Sequence, residues 1–403
     1  MLLHGEAGAL RRMSELLLHS DAAIQEHAVQ CVANLGVDSS DAAAYLRAGW
    51  HLPLIALLSA HNFDTQAAAA AVLGSLACLS DFRVALMADG ALQPILQLLH
   101  APSLPARTAA VRALAIMAQQ LMSTAVPRDD PTAIELVDAL FETAAVPKLL
   151  GVLSASQTHA AAPQPVAAQP GVPPADAATA ERQLVAVLLL LQTLAGGHGH
   201  VRPRLVSANA VETLLAFLQA RAQPQHAPAA PGYANGGRAQ PAAQSDAEID
   251  GAAGATLALL MLAPQGAAHL ASAGGPTALL PLLRSSRAPL QAAIARALGN
   301  LAHDGTPAEV LLECMPPLVA LASRPKPEVA LDAYWAVSNV YRLLRASSRA
   351  REALTPQMLS TLAAGSLLGL SSGADGVTVP STPSTAVIAT PISSSNSAVL
   401  RRF

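Results

Sequence analysis

The sequence predicts an all-α fold, a right-handed solenoid superhelix of about seven to eight three-helix repeats, on three observations. The first is a period of 41 residues, which spaces Gly8, Gly49 and Gly90, each followed by an apolar run, and also Pro276 and Pro317. The second is recurrence within the period: Leu16 and Leu17 return as Leu57 and Leu58 and again as Leu98 and Leu99. The third is helical spacing inside each unit. Ile24, Ala28, Cys31 and Leu35 fall at i, i+4, i+7 and i+11, so they share one helix face, read as core.

Each period parses into three helices. The first is short and ends at a glycine (41–49, 81–90), because glycine enters the left-handed conformation that closes a helix without a Cβ penalty. The second carries the leucines (52–59, 91–99), and the third is longer and alanine-rich (64–79). Units begin near residues 8, 49, 90, 145, 210, 275 and 316, with a further second helix at Gln357–Leu368. Helix starts are marked by a cap followed by a first-turn proline at Asp130-Pro131, and at Thr306-Pro307 with Glu309 as the capping-box acid. The step from the third to the fourth unit is stretched by a long first helix within 121–144.

Two inserts, 155–179 and 221–247, are rich in Ala, Pro, Gln and Gly and almost lack large apolar residues. Such sequence cannot offset its ordering entropy by burial, so both are expected to be mobile. Both interrupt the junction of second and third helices, which in a solenoid places them on one edge. Residues 1–369 therefore read as the solenoid and 370–403 as a disordered Ser/Thr/Pro-rich tail, where Thr382-Pro383 and Thr390-Pro391 suit proline-directed phosphorylation.

Composition narrows the function. The 403 residues are 52% hydrophobic, 13% charged and 3% aromatic, with a net charge of −3, which gives no broad basic field for nucleic acid. Cys31, Cys78 and Cys314 lie far apart without a CxxC and read as buried, reduced thiols of a cytoplasmic or nuclear protein. MLLHGEAGALRR has no basic region ahead of an apolar stretch and does not read as a secretory signal. The longest apolar runs, 184–194 and 252–263, are about half of what a bilayer requires, so no transmembrane segment is predicted. His198-Gly199-His200 has no acid or thiol at ligand spacing and reads as a turn where a third helix stops. No phosphate loop, nucleophile elbow, zinc-protease motif or paired-carboxylate pattern occurs, so neither catalysis, a cofactor nor a metal is expected.

The segment DAYWAVSNVYRLL, 332–344, resembles the third helix of an armadillo repeat of the importin-alpha and beta-catenin type, in which a Trp and an Asn four residues later face a concave groove. Trp335 and Asn339 match that pattern. Asn300 and Asn34 keep the Asn, with Arg296 and Gln30 in the Trp position. The resemblance spans roughly 8–365 and implies a non-catalytic scaffold or adaptor. A carboxamide there can donate to and accept from the backbone of a bound peptide, and an indole can wall off a long side chain.

Taken at i, i+3, i+7, the stripes are His27-Gln30-Asn34, Ala68-Ala71-Ser75, Ala109-Arg112-Ile116, Ala186-Leu189-Thr193, Gly254-Leu257-Met261, Ala293-Arg296-Asn300 and Asp332-Trp335-Asn339. They are polar at the ends and apolar in the middle, which suits a partner peptide or amphipathic helix with apolar anchors. The partner-binding candidates are Trp335, Asn339, Asp332, Asn300, Arg296, Arg112 and Asn34. The competing reading of these residues is inter-repeat packing, which is also the reading of Trp50. Two alternatives are a nuclear-transport adaptor resembling importin-alpha, which would require more Trp-Asn pairs and a basic arm, and the substrate-recognition part of a ubiquitin ligase.

Overall fold

The computed structural model describes residues 7–35, 42–123, 126–127, 130–159, 177–197, 199–222, 240–302, 311–324 and 327–346. Among them there is no strand, and the helices fall into seven consecutive repeats. The first repeat contains α1 (Ala7–Leu17) and α2 (Ala22–Leu35). Repeats two and three are α3 (Ala42–Arg47), α4 (His51–Leu57), α5 (Phe63–Leu76), then α6 (Ser80–Ala88), α7 (Leu92–Leu98), α8 (Leu104–Leu121). Repeat four is α9 (Pro131–Glu142), α10 (Ala145–His159) and α11 (Ala177–Gly196), and repeat five is α12 (Val201–Ser207), α13 (Ala210–Ala222) and α14 (Gln240–Leu260). Repeat six has α15 (Gly266–Ser272), a 3-10 turn (Pro276–Leu279) running into α16 (Leu280–Leu283), and α17 (Ala288–Leu301). In repeat seven a 3-10 turn (Leu312–Cys314) leads into α18 (Met315–Ala322), followed by α19 (Pro327–Ala346).

The third helices α2, α5, α8, α11, α14, α17 and α19 pack each on the next in one continuous ladder. Small residues set their spacing: Gly74 of α5 lies where an added Cβ would be 3.0 Å from the Ala113 Cα of α8. The alanine-rich third helices therefore approach closely, and a single apolar core runs from Leu10 to Leu344.

The corner between first and second helices is left-handed in repeat after repeat. Gly49 and Gly90 have φ +70° and +73°, as the glycine spacing predicts, but Ala144 (φ 56°) and Asn209 (φ 61°) hold the same corner without glycine. Gly8, by contrast, lies inside α1. The Asp130 cap forms as predicted, its carboxylate accepting from Thr132 N at 2.9 Å and Ala133 N at 3.3 Å. Trp50 is packing, as read: it is buried, stacked on Tyr45, and its Nε1 donates to Leu10 O of the first repeat at 2.9 Å.

Several expectations shift. The insert boundaries move inward, since α10 reaches His159, α11 begins at Ala177, α13 reaches Ala222 and α14 begins at Gln240. The central parts of both inserts, the Thr306-Pro307 cap, the extra helix at Gln357–Leu368 and the 370–403 tail lie outside the described residues. Cys314 is buried, but Cys31 and Cys78 are exposed. Cys31 lines an apolar groove with Met13, Leu16, Ile24 and Ala28, because no described helix packs on that side of the first repeat. Segment Ala178–Gly196 is long and apolar enough for a membrane span, yet half of it is buried where α11 packs between α8 and α14.

Candidate functional site

The ladder face changes character along its length. On α2, His27, Gln30 and Asn34 are exposed, and Gln30 Nε2 donates to Asn34 Oδ1 at 3.4 Å. On α5 the stripe is a low floor of Ala68, Ala71 and Ser75, whose hydroxyl donates to Ala71 O. On α8, Arg112 stands half-buried beside a buried Ile116, and on α11 Leu189 and Thr193 remain half-buried. Arg182, one turn before Ala186 on α11, is exposed.

From α14 onward the face closes. Gly254, Leu257 and Met261 are all buried, the last two completely, and a Cβ on Gly254 would lie 2.8 Å from Ala293 Cβ on α17. The apolar middle of the ladder is thus partly core: its fifth stripe offers no anchor pocket, because neighbouring third helices cover it.

The C-terminal candidates are brought together, mainly with one another. Arg296 and Asp332 form an ion pair, Nε to Oδ2 at 3.2 Å, although Nε has no aligned hydrogen-bond acceptor. Asn300 is buried and its Nδ2 donates to Ala258 O on α14 at 2.6 Å. Asn339 reaches back in the same way to Gly299 O at 3.4 Å. The half-buried Trp335 indole lies over Gly299, where an added Cβ would meet Cζ3 at 2.2 Å. Both carboxamides therefore pair with backbone of the preceding repeat, and the donor of Asn300 is withdrawn from any ligand. Burial pushes the Asp332 carboxyl up to about 6 against the opposing pull of Arg296.

Arg112 and Asn34 are remote from that cluster, and Arg112 belongs to a second one that sequence reading did not assemble. Burial first, then the nearby Arg182 cation, holds the Arg112 guanidinium below its ordinary range. Cys78, just past the end of α5, is exposed as a residue, yet desolvation of its thiol by the surrounding protein outweighs the pull of Arg83 and Arg112 and raises it. Arg83 donates to Ala77 O at the end of α5 and acts on Asp130. The sequence signal for this cluster was the adjacency of third helices in successive units, which brings α8 and α11 together despite the long first helix and insert between them.

Elsewhere the charged residues serve as struts. Asp250, with no solvent exposure, is held by Arg221 and Arg287. Arg204 bridges to Asp138 at 2.5 Å and lies over the Phe141 ring. Among the described residues no three His, Cys, Asp or Glu converge on a metal-sized site.

No protein-family model matches the chain, and neither does any curated protein sequence. Solved structures do. A designed armadillo-repeat protein is 20% identical over 72% of this chain and 99% of its own, with a TM-score of 0.51. A designed armadillo-repeat protein in complex with the peptide (KR)4 is 18% identical over 72% of this chain and 99% of its own, TM-score 0.51. A structure from work on a phosphorylation switch between cadherin and beta-catenin is 17% identical over 85% of this chain and 53% of its own, TM-score 0.54. With seven repeats, a continuous third-helix ladder and these neighbours, the chain has the armadillo-repeat fold.

Proposed function

We propose that this chain is a non-catalytic protein-interaction scaffold that takes a segment of a partner protein along its third-helix ladder, chiefly where the ladder crosses α5, α8 and α11. The observation that carries this reading is the contrast along the face. Across repeats two to four the floor is low, with Ser75 and Arg182 exposed and Arg112 half-buried and engaged in an interaction, whereas at repeats six and seven the polar side chains pair with each other or with the backbone of the preceding repeat. An extended array of this kind offers a long concave surface, and its neighbours include a designed repeat protein in complex with a peptide and a structure from work on the cadherin and beta-catenin interaction. The importin-like alternative is less favoured because Arg296 occupies the Asp332 carboxylate that a ligand cation would need. A cytoplasmic or nuclear site of action accompanies the proposal.

The test is site-specific photocrosslinking. A benzophenone side chain at Ser75, on the floor of α5, is expected to capture a discrete partner. One at Val84, exposed on α6 outside the ladder, is expected not to. Equal capture at both positions, or capture at Val84 alone, would remove the ladder from consideration.

A further inference from the structure

We propose that copies of this chain associate head to tail, the uncovered face of the first repeat in one copy seating on the uncovered face of α19 in the next, so that the third-helix ladder runs on between molecules. This is independent of what the ladder binds. Its basis is the register of the repeats. Leu16 on α1 and Ile24 and Cys31 on α2 recur 41 residues on as Leu57, Thr65 and Val72, and 82 residues on as Leu98, Ala106 and Ala113. Those six successors are buried, in repeats that pack against the one before. In the first repeat, by contrast, Ile24 is half-buried, Cys31 is exposed and Leu16 is 41% exposed.

The other end of the ladder carries the matching face. Leu331 and Ser338 on α19 take the places of Ala292 and Gly299 on α17, which are buried. On α19 no described helix packs on that side: Ser338 is exposed and Leu331 is 48% exposed. Within the ladder the close approaches join the very positions that the two ends leave open. A Cβ added to Gly74 on α5 would lie 3.2 Å from Ala113 Cβ on α8, and one added to Gly299 on α17 would lie 3.2 Å from Ala336 Cα on α19. Each of those glycines stands three residues after the middle of its stripe, as Ser338 does, and each alanine one residue after, as Cys31 does. A junction between copies therefore brings two small side chains, Ser338 and Cys31, to the point of closest approach and covers Leu16 and Leu331 beside them. The contact continues the interface that already joins repeat to repeat, which is why a second copy fits both faces.

Two helices side by side present a footprint of about 20 Å by 20 Å, roughly half of one side of a standard interface, so association should be weak, with a Kd of about 10–100 μM. Because the contact joins two different faces it does not close, and sedimentation velocity on the full chain from about 1 to 200 μM should show a mean mass that passes the dimer without a plateau. The faces are apolar, so salt at about 0.5 M should not dissolve the assemblies. Leu16→Glu and Leu331→Glu, both at exposed positions, should each give a monomer with unchanged helical circular dichroism. Mixed in equal amounts they should form a dimer and nothing larger, since the first keeps its α19 face and the second keeps its first-repeat face. Ser338→Cys, oxidised at about 100 μM with copper phenanthroline, should link position 338 of one copy to Cys31 of another, because the corresponding Cβ atoms within the ladder lie close to disulfide spacing.

A chain that stays monomeric at about 200 μM overturns the proposal. If Leu331→Glu then destabilises that monomer, the α19 face belongs to the chain's own segment 357–368. Either variant forming dimers alone, with no gain on mixing, shows a two-fold pairing of a single face and overturns it as well. Crosslinks found only between two copies of Cys31 have the same meaning.

Discussion

Replacing Gly299 by alanine tests whether the C-terminal cluster is as tightly packed as its geometry implies. The new Cβ would lie 2.2 Å from Trp335 Cζ3 and 2.5 Å from Cε3, with the Ala336 Cα at 3.2 Å. Carbon atoms rest at about 3.5–4.0 Å, so the indole must retreat by more than about 1 Å, and the α19 backbone behind it limits where it can go. Overpacking of this kind costs about 1–3 kcal/mol, and stretching the long Asn339 to Gly299 O contact adds less than about 1 kcal/mol. The better helix propensity of alanine returns up to about 1 kcal/mol, leaving a net loss of about 1–2 kcal/mol. For an array of this size that is a fall of about 1–3 °C in Tm. Gly151, exposed on α10 with nothing near its would-be Cβ, is the matched control: the same substitution there should stabilise by about 0.5–1 kcal/mol. Urea denaturation followed by circular dichroism gives the stability. Tryptophan emission isolates the cause, because Trp335 is half-buried and should redden while the buried Trp50 stays fixed. If Gly299→Ala matches Gly151→Ala in sign, the close approach of α17 and α19 is not a real constraint.

Four further outcomes are expected. Asp250→Ala strands two partly buried guanidiniums and should cost about 3–5 kcal/mol in denaturant titration, whereas Asp246→Ala, at an exposed partner of Arg221, should cost less than about 1 kcal/mol. Burial raises the Asp332 carboxyl from 3.8 to about 6, so its contribution to stability is full below about pH 4 and is lost as pH rises through about 6. Asp332→Asn should remove about 3 kcal/mol of that decline, and an NMR titration placing the carboxyl at or below its ordinary value would refute the assignment. Ala144→Gly relieves a left-handed alanine at φ 56° and should raise stability by about 0.5–1 kcal/mol, seen as an increase in Tm, whereas Gly49→Ala should lower it by a similar amount. A thiol reagent should modify Cys31 in the folded protein but reach Cys314 only on unfolding, since burial raises that thiol to about 12.

The fold was legible because a repeat array writes its architecture along the chain. The 41-residue period placed the left-handed corners, so that unit starts near 49, 90, 145 and 210 coincide with Gly49, Gly90, Ala144 and Asn209. Asp130-Pro131 marked the start of α9 because a cap and the proline after it act within four residues of each other. The insert edges were drawn too wide, since polar and alanine-rich sequence at 177–179 and 240–247 continues a helix once the next repeat supports it.

The site was less legible, for a definite reason. The i, i+3, i+7 spacing finds a face of a helix but not what covers that face, and coverage comes from residues about 40 positions away. Leu257 and Met261 fell on the predicted groove stripe yet are sealed in the core, while Cys31 fell on the predicted core face yet is exposed. Asn300 and Asn339 have the chemistry to hold a ligand's backbone, but their donors turn to Ala258 and Gly299 one repeat back. Sequence by itself determined the repeat, its helices and its corners, all of which arise from local backbone preference and periodic hydrophobicity. Only the tertiary structure decided which polar groups are spent within the ladder, because that depends on the close approach of helices from different repeats.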